Sequence, residues 1–150
     1  MAALKPPAVD EPYGAMWSFD LRGSRPTVLA HVRSWIGAVL EDLGRERLAD
    51  IVLIADELVA NAFDHGGGPH EVRVSRMRTP CWVGIEVDDS GSDQPVLGRS
   101  RFPADYRGRG LVVVDNLAQA WGVTTDPDRG VKTVWAHVAC AMQPCVPRSR

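Results

Sequence analysis

Two spacings of hydrophobic residues along this chain predict its helices and strands. Between residues 24 and 43, apolar side chains recur every three or four positions, which is the spacing of an amphipathic helix. Ser24 is the expected N-cap of this helix, Pro26 fits its first turn, and Gly44 is its expected stop. A second helix is predicted over residues 47–64. It is apolar over much of its girth, so we expect it to be largely buried.

Strands are predicted where apolar and polar residues alternate. The predicted strands are residues 17–21, 71–77, 81–89, 121–125 and 131–139, and a third helix is predicted over residues 110–120. Short turns containing Thr79-Pro80 and Asp126-Pro127 separate neighbouring strands, which indicates hairpins. This order predicts an α+β fold, a two-layer sandwich with the helices packed on one face of a mixed, mostly antiparallel sheet.

Composition narrows the class of protein. A chain of 150 residues with 45% hydrophobic and 24% charged residues is typical of one globular domain. The first 14 residues are rich in Pro and Ala and are expected to be disordered, residues 15–140 form the domain, and residues 141–150 form a flexible tail. A net charge of −2 argues against direct nucleic-acid binding. The chain shows neither a long apolar run nor a signal-peptide pattern, so we expect a cytoplasmic protein without membrane contact.

The cysteines do not suggest a metal site. Cys81, Cys140 and Cys145 are odd in number and lack metal-ligand spacing. Cys81 is expected to fill the apolar face of a strand. A bridge between Cys140 and Cys145 is disfavoured in a reducing compartment.

The stretch ELVANAFDHGG, residues 57–67, carries the first candidate chemistry. Glu57 and Asn61 lie four residues apart and therefore on one face of the second helix. A carboxylate and a carboxamide on a buried helix suit a metal-bound nucleotide, since the amide oxygen can ligate magnesium while the carboxylate handles a proton. The alternative interpretation, equally weighted, places both on the solvated side of the helix.

The stretch VDDSGSD, residues 87–93, carries the second set of candidate functional residues. Side chains alternate along a strand, so Asp89 should face the helices with Val87, whereas Asp88 should face water. A buried carboxylate needs donors, and the amino group of adenine is one. Gly91 would allow a flat ring to approach the backbone. An ordinary Asp-Ser-Gly turn is the alternative.

Two further patches are weaker taken alone. Gly108 and Gly110 flank Arg109 just before the third helix, where free backbone amides suit phosphate oxygens. A flexible solvated loop explains the same residues. Thr133, in the last predicted strand, has a hydroxyl that can reach a bound base, but threonine is also a good strand former.

In combination these patches resemble the ATP-binding domain of the histidine-kinase-like ATPase superfamily, which includes gyrase, histidine kinases and mismatch-repair ATPases. Within it the chain looks most like the stand-alone anti-sigma-factor serine/threonine kinases of bacteria. ELVANAFDHGG resembles the N box, DSGSD the first glycine box, GRGL (residues 108–111) the second, and GVKTVWA (residues 130–136) the last. Asp93 departs from the pattern, because it stands where the family usually keeps a glycine.

The resemblance implies a role for each matching residue. The cofactors would be ATP and Mg²⁺. Glu57 would be the catalytic base and Asn61 the magnesium ligand. The nucleotide would be held by Asn61, Asp89, Gly91, Gly108, Arg109, Gly110, Leu111 and Thr133, with Asp89 and Thr133 on the adenine ring. The implied partners are a sigma factor and an anti-sigma antagonist protein, with a possible homodimer. The alternative function is an interaction module that binds ATP weakly or structurally and regulates by docking without kinase activity.

Overall fold

The computed structural model describes residues 9–11, 14–65, 67–78, 80–91 and 107–140. The strands are β1 (Val9–Glu11), β2 (Gly14–Asp20), β3 (Pro69–Arg78), β4 (Cys81–Asp89), β5 (Ala120–Asp126) and β6 (Val131–Ala139). The helices are α1 (Leu29–Val39), α2 (Arg45–His65) and α3 (Arg107–Leu117), and a short 3-10 helix at Pro26–Val28 leads into α1.

The strands form one sheet in the order β1-β2-β3-β4-β6-β5. Every strand pairing that the structure describes is antiparallel, so the α+β prediction is confirmed, although the sheet is not mixed in this part of the chain. The strand β4 lies between β3 and β6 and is therefore central. Its carboxyl end, at Asp89, is flanked by both neighbours.

Period-2 alternation on the strands builds the core. The inward positions of β4, Val83, Ile85 and Val87, are at most 1% exposed. The helix α2 covers them with a stripe of buried residues at helical spacing, and it contacts β3, β4 and β6. The core-facing residues of α2 are Ile51, Ile54, Ala55, Leu58, Val59 and Ala62. Each large aliphatic side chain buried here contributes roughly 1.5–3 kcal/mol, so this layer dominates the stability of the domain.

The structure differs from the sequence prediction at the ends of several elements. The hydroxyl of Ser24 donates to the carbonyl of Leu21 and does not cap a helix, and α1 ends at Val39, before the predicted stop. A strand at Val9–Glu11 lies within the stretch predicted to be disordered, because it pairs with β2. Residues 1–8, 12–13 and the predicted tail, 141–150, lie outside the described residues.

The prediction that Cys81 simply fills the apolar face of a strand was wrong. Cys81 and Cys140 form a disulfide, with their Cα atoms 5.3 Å apart. The register explains the pairing: Trp82 pairs with Ala139 across β4 and β6, so the next residues outward stand opposite each other. The bridge therefore ties together two neighbouring strands at the end of the sheet remote from Asp89. Cys145 lies outside the described residues.

Candidate functional site

Glu57 and Asn61 lie one turn apart on α2, beside the stripe that packs into the core. Both side chains are partly buried, whereas Leu58 and Ala62 next to them are at most 3% exposed. Partial burial raises the pKa of the Glu57 carboxyl, and the neighbouring negative charge of Asp56 raises it further. A carboxyl group with a raised pKa is a better proton acceptor near neutral pH.

The chain that follows α2 brings its last turns to the end of β4. The amide of Gly68 donates to the carbonyl of Ala62 at 3.2 Å, and β3 then begins at Pro69, whose partner across the ladder is Asp89. Gly67 and Gly68 have φ angles of 69° and 108°, which only glycine adopts without strain. This glycine turn therefore places the Asn61 end of α2 and Asp89 at the same end of the domain.

Asp89 lies on the helix-facing side of β4, as predicted, and is 1% exposed. Its Oδ1 accepts a hydrogen bond from the Gly91 amide at 2.7 Å and lies 3.5 Å from Nζ of Lys132. Burial raises the pKa of Asp89, and the Gly91 amide and the Lys132 ammonium offset part of that effect. Gly91 thus holds the aspartate in place through its backbone.

Asp88 does not face water, contrary to the prediction. It is 8% exposed on the opposite face of the sheet, where Arg73 of β3 binds both of its oxygens, at 2.5 and 2.9 Å. The hydroxyl of Thr133 donates to the same carboxylate at 2.6 Å. Burial raises the pKa of Asp88, but these hydrogen bonds and the guanidinium charge outweigh it, so the pKa lies below its usual value.

Thr133, which was predicted to contact the adenine ring beside Asp89, lies on the outer face of the sheet, where its hydroxyl donates to Asp88. Its contact with the base stays a prediction. Along β6 the inward positions are Lys132, Val134 and the residues that alternate with them, and Lys132 is the residue paired with Asp89 across the ladder. In the sequence, Lys132 stands within the GVKTVWA motif and was not predicted to be a site residue. The alternation of β6 was the signal that places it inside.

The helix α3 begins at Arg107, so Gly108, Arg109 and Gly110 form part of its first turn and do not precede it. The first four amides of a helix have no partner within the helix, so these positions keep the donors that the sequence predicted for phosphate. Leu111 is 3% exposed, and α3 packs against α2. The side chains of residues 107–110 lie outside the described part of the chain, as do Asp93 and the rest of residues 92–106.

The structure shows no ready-made metal cage in the part of the chain that it describes: no three or more His, Cys, Asp or Glu side chains are grouped there. Magnesium does not need one, because it keeps several waters and takes substrate phosphates as ligands. A single carboxamide oxygen from Asn61 is compatible with that chemistry. Among the described helices, none is long and apolar enough to cross a membrane.

The antiparallel sheet and the helices that cover one of its faces form a two-layer α+β domain. Residues 23–136, which are most of the chain, match the family described as the histidine kinase-like ATPase domain. The chain belongs to that family. No curated protein sequence matches it significantly.

Proposed function

We propose that this protein is an ATP-dependent serine/threonine kinase of the anti-sigma type, which phosphorylates a small antagonist protein. The observation that carries the proposal is the pair of Glu57 and Asn61 on one partly buried flank of α2, at the end of the domain where Asp89 is buried. The raised pKa of the Glu57 carboxyl supports its role as base.

In this proposal the acceptor hydroxyl attacks the γ-phosphorus of ATP. A new oxygen–phosphorus bond forms, the bond to the β-phosphate oxygen breaks, and Glu57 takes the hydroxyl proton, leaving ADP and a phosphorylated side chain. Asn61 would hold Mg²⁺, and the ion would supply neutralisation of the phosphate charge. The free amides at the start of α3, at Gly108, Arg109 and Gly110, hold phosphate oxygens. Asp89 accepts a hydrogen bond from the amino group of adenine.

The partners follow from the resemblance of the sequence motifs to those of anti-sigma kinases. The protein would bind a sigma factor in one state and its antagonist in the other, and the same resemblance implies a homodimer. Phosphorylation of the antagonist would then decide which partner is released.

A second function, docking without phosphate transfer, is favoured by one contact. Nζ of Lys132 lies 3.5 Å from Oδ1 of Asp89, so the carboxylate already has a cationic neighbour in the free protein. In that case the protein would bind nucleotide weakly and regulate through its surface alone.

Nucleotide binding is tested first, by a thermal-shift titration with ATP, ADP and GTP, with and without Mg²⁺. The proposal expects a magnesium-dependent stabilisation by adenine nucleotides, because a ligand that binds only the folded state raises the melting temperature. The absence of a shift with all three nucleotides would leave only the docking function.

Phosphate transfer is tested with labelled ATP and purified candidate antagonist proteins. Replacing Glu57 with Gln removes the base but keeps its size, and it should slow transfer by roughly 10²- to 10⁴-fold while sparing ATP binding. The matched control is Glu46→Gln, an exposed glutamate in the first turn of the same helix, which should transfer at the wild-type rate. Normal transfer by the Glu57 variant would show that Glu57 is not the base.

A further inference from the structure

A lysine points into the core layer of this domain. The inward positions of β6 are Lys132, Val134, Ala136 and Val138, all at most 3% exposed. The side chain of Lys132 is 3% exposed, and the side chain of Asp89, its partner across the ladder, is 2% exposed. Lysine is almost never buried to this degree unless it is paired.

The pair is costly as a purely structural device. Removing two charges from water costs several kcal/mol per ion, and apolar residues of the same volume often stabilise a fold as well or better. A valine at position 132 would continue the inward alternation of β6, as Val134 does two residues further on. A charged residue at a position where the strand pattern calls for an apolar one, beside a candidate site, indicates a functional role.

The chemistry of the pair matches one edge of a purine. The carboxylate of Asp89 can only accept hydrogen bonds when ionised, and the ammonium of Lys132 can only donate them. The Watson–Crick edge of adenine presents a donor, the N6 amino group, beside an acceptor, ring nitrogen N1. The Gly91 amide fixes Asp89 at 2.7 Å, so the acceptor is preorganised and the flexible lysine stem can adjust to the ring.

We propose that Lys132 reads the nucleotide base: it donates a hydrogen bond to N1 of adenine while Asp89 accepts one from N6. This inference rests on the proposed ATP binding and adds a specificity-determining residue to that site. With Asp89 at position 6 of the ring, guanine would place its O6 acceptor against a carboxylate and its N1–H against an ammonium. Both contacts of guanine would be mismatched, so the pair selects adenine.

The test compares ATP with 1-deaza-ATP, in which ring nitrogen N1 is replaced by C–H, by calorimetric titration in the presence of Mg²⁺. Wild-type protein should bind 1-deaza-ATP about 10- to 100-fold more weakly than ATP, the ratio expected for loss of a hydrogen bond to a charged group. The control ligand is 7-deaza-ATP, which is altered on the other side of the base and should bind like ATP. This arm needs no variant, so it does not depend on how substitutions fold.

The second arm replaces Lys132 with Met, which keeps the length of the side chain and removes the ammonium. The variant should bind ATP about 10- to 100-fold more weakly and should hardly distinguish ATP from 1-deaza-ATP. The control for loss of one positive charge is Arg129→Met, at an exposed position in the turn between β5 and β6, which should retain the full discrimination.

Each other outcome overturns the inference in a recognisable way. Equal discrimination by wild type and by Lys132→Met would show that the lysine does not contact N1. Tighter ATP binding by Lys132→Met than by wild type would show that the lysine obstructs the base. Failure of the wild type and of Lys132→Met alike to bind any nucleotide would refute the proposed ATP binding itself, and the base contact with it.

Discussion

The disulfide between Cys81 and Cys140 should contribute a measurable part of the stability of this domain. It links residues 59 positions apart, at the outer ends of β4 and β6. For a loop of this length the chain-entropy relation gives about 4 kcal/mol at 25 °C, and measured values are typically about 2–4 kcal/mol. For a protein of this size that corresponds to a fall in melting temperature of roughly 10 °C when the bridge is removed.

The assay is denaturant unfolding followed by circular dichroism, with and without a reducing agent. Reduction should destabilise the wild type by about 2–4 kcal/mol and should have no effect on Cys81→Ser, which has already lost the bridge. The control is Cys145→Ser, which should behave like the wild type in both conditions.

Peptide mapping decides the pairing independently. Trypsin should release Cys81 in the peptide of residues 79–99 and both other cysteines in the peptide of residues 133–148. A bridge to Cys81 joins the two peptides, whereas a bridge between Cys140 and Cys145 lies within one of them. Equal stability of oxidised wild type and Cys81→Ser, together with unjoined peptides, would refute the assignment.

Three substitutions test other parts of the structure. Burial raises the pKa of Asp88, but its hydrogen bonds lower it overall, so Asp88→Asn should reduce the free energy of unfolding by roughly 3 kcal/mol above about pH 4. Because the wild-type carboxylate becomes protonated, this difference should disappear as the pH falls through the folded-state pKa, as measured by unfolding across pH. Gly122→Ala places a methyl group 2.9 Å from the indole ring of Trp135, so it should lower the free energy of unfolding by about 1–3 kcal/mol and shift the tryptophan emission. The control is Gly37→Ala, whose methyl group would enter open space and should have little effect. The pKa of Glu57 is raised mainly by burial and further by the charge of Asp56, so Asp56→Asn should lower it. The acid limb of the pH–rate profile for phosphate transfer should then move to lower pH, and a limb that does not move would contradict this.

Hydrophobic periodicity was sufficient to predict the central elements. The strand β4 runs from Cys81 to Asp89, as its alternation predicted, and α2 begins and ends within two residues of the predicted bounds. Both elements are held by many apolar contacts, and a strong period in the sequence reports such contacts directly. The three-residue strand β1 was missed because it is too short to show a period and depends on its pairing with β2.

Alternation and motif matching contributed differently to the predicted site. Alternation assigned Asp88 and Asp89 to opposite faces of the sheet, but it could not show that Arg73 and Thr133 bury Asp88 on the outer face. Alternation was applied to β4, and it placed Asp89 correctly on the helix-facing side. On β6 the motif suggested Thr133, whereas the same alternation, counted from Val134, would have placed Lys132 inside. The disulfide was missed for a different reason, because the pairing of Cys81 with Cys140 depends on the register between two strands that are far apart in the sequence.

Asp88 and Asp89 show how one strand end serves two purposes. They are adjacent in sequence and both are buried, yet the pKa of Asp88 is lowered and that of Asp89 is raised. The reason is that they face opposite sides of the sheet, so that only Asp88 receives a guanidinium and a hydroxyl. Ionised Asp88 therefore stabilises the fold at neutral pH, whereas ionised Asp89 costs stability above its folded-state pKa.

Since the ionised carboxylate of Asp89 lowers the stability of the free protein, its presence is most easily explained by a ligand that forms a hydrogen bond with it. The two hydrogen bonds from Arg73 hold the outer face of the β4 end, and the Gly91 amide holds the inner carboxylate. The outer network thus holds the strand end at which the Gly91 amide and Lys132 contact Asp89. On this argument the proposed contact between Asp89 and adenine would depend indirectly on Asp88, because a loosened strand end would misplace the carboxylate that accepts the hydrogen bond.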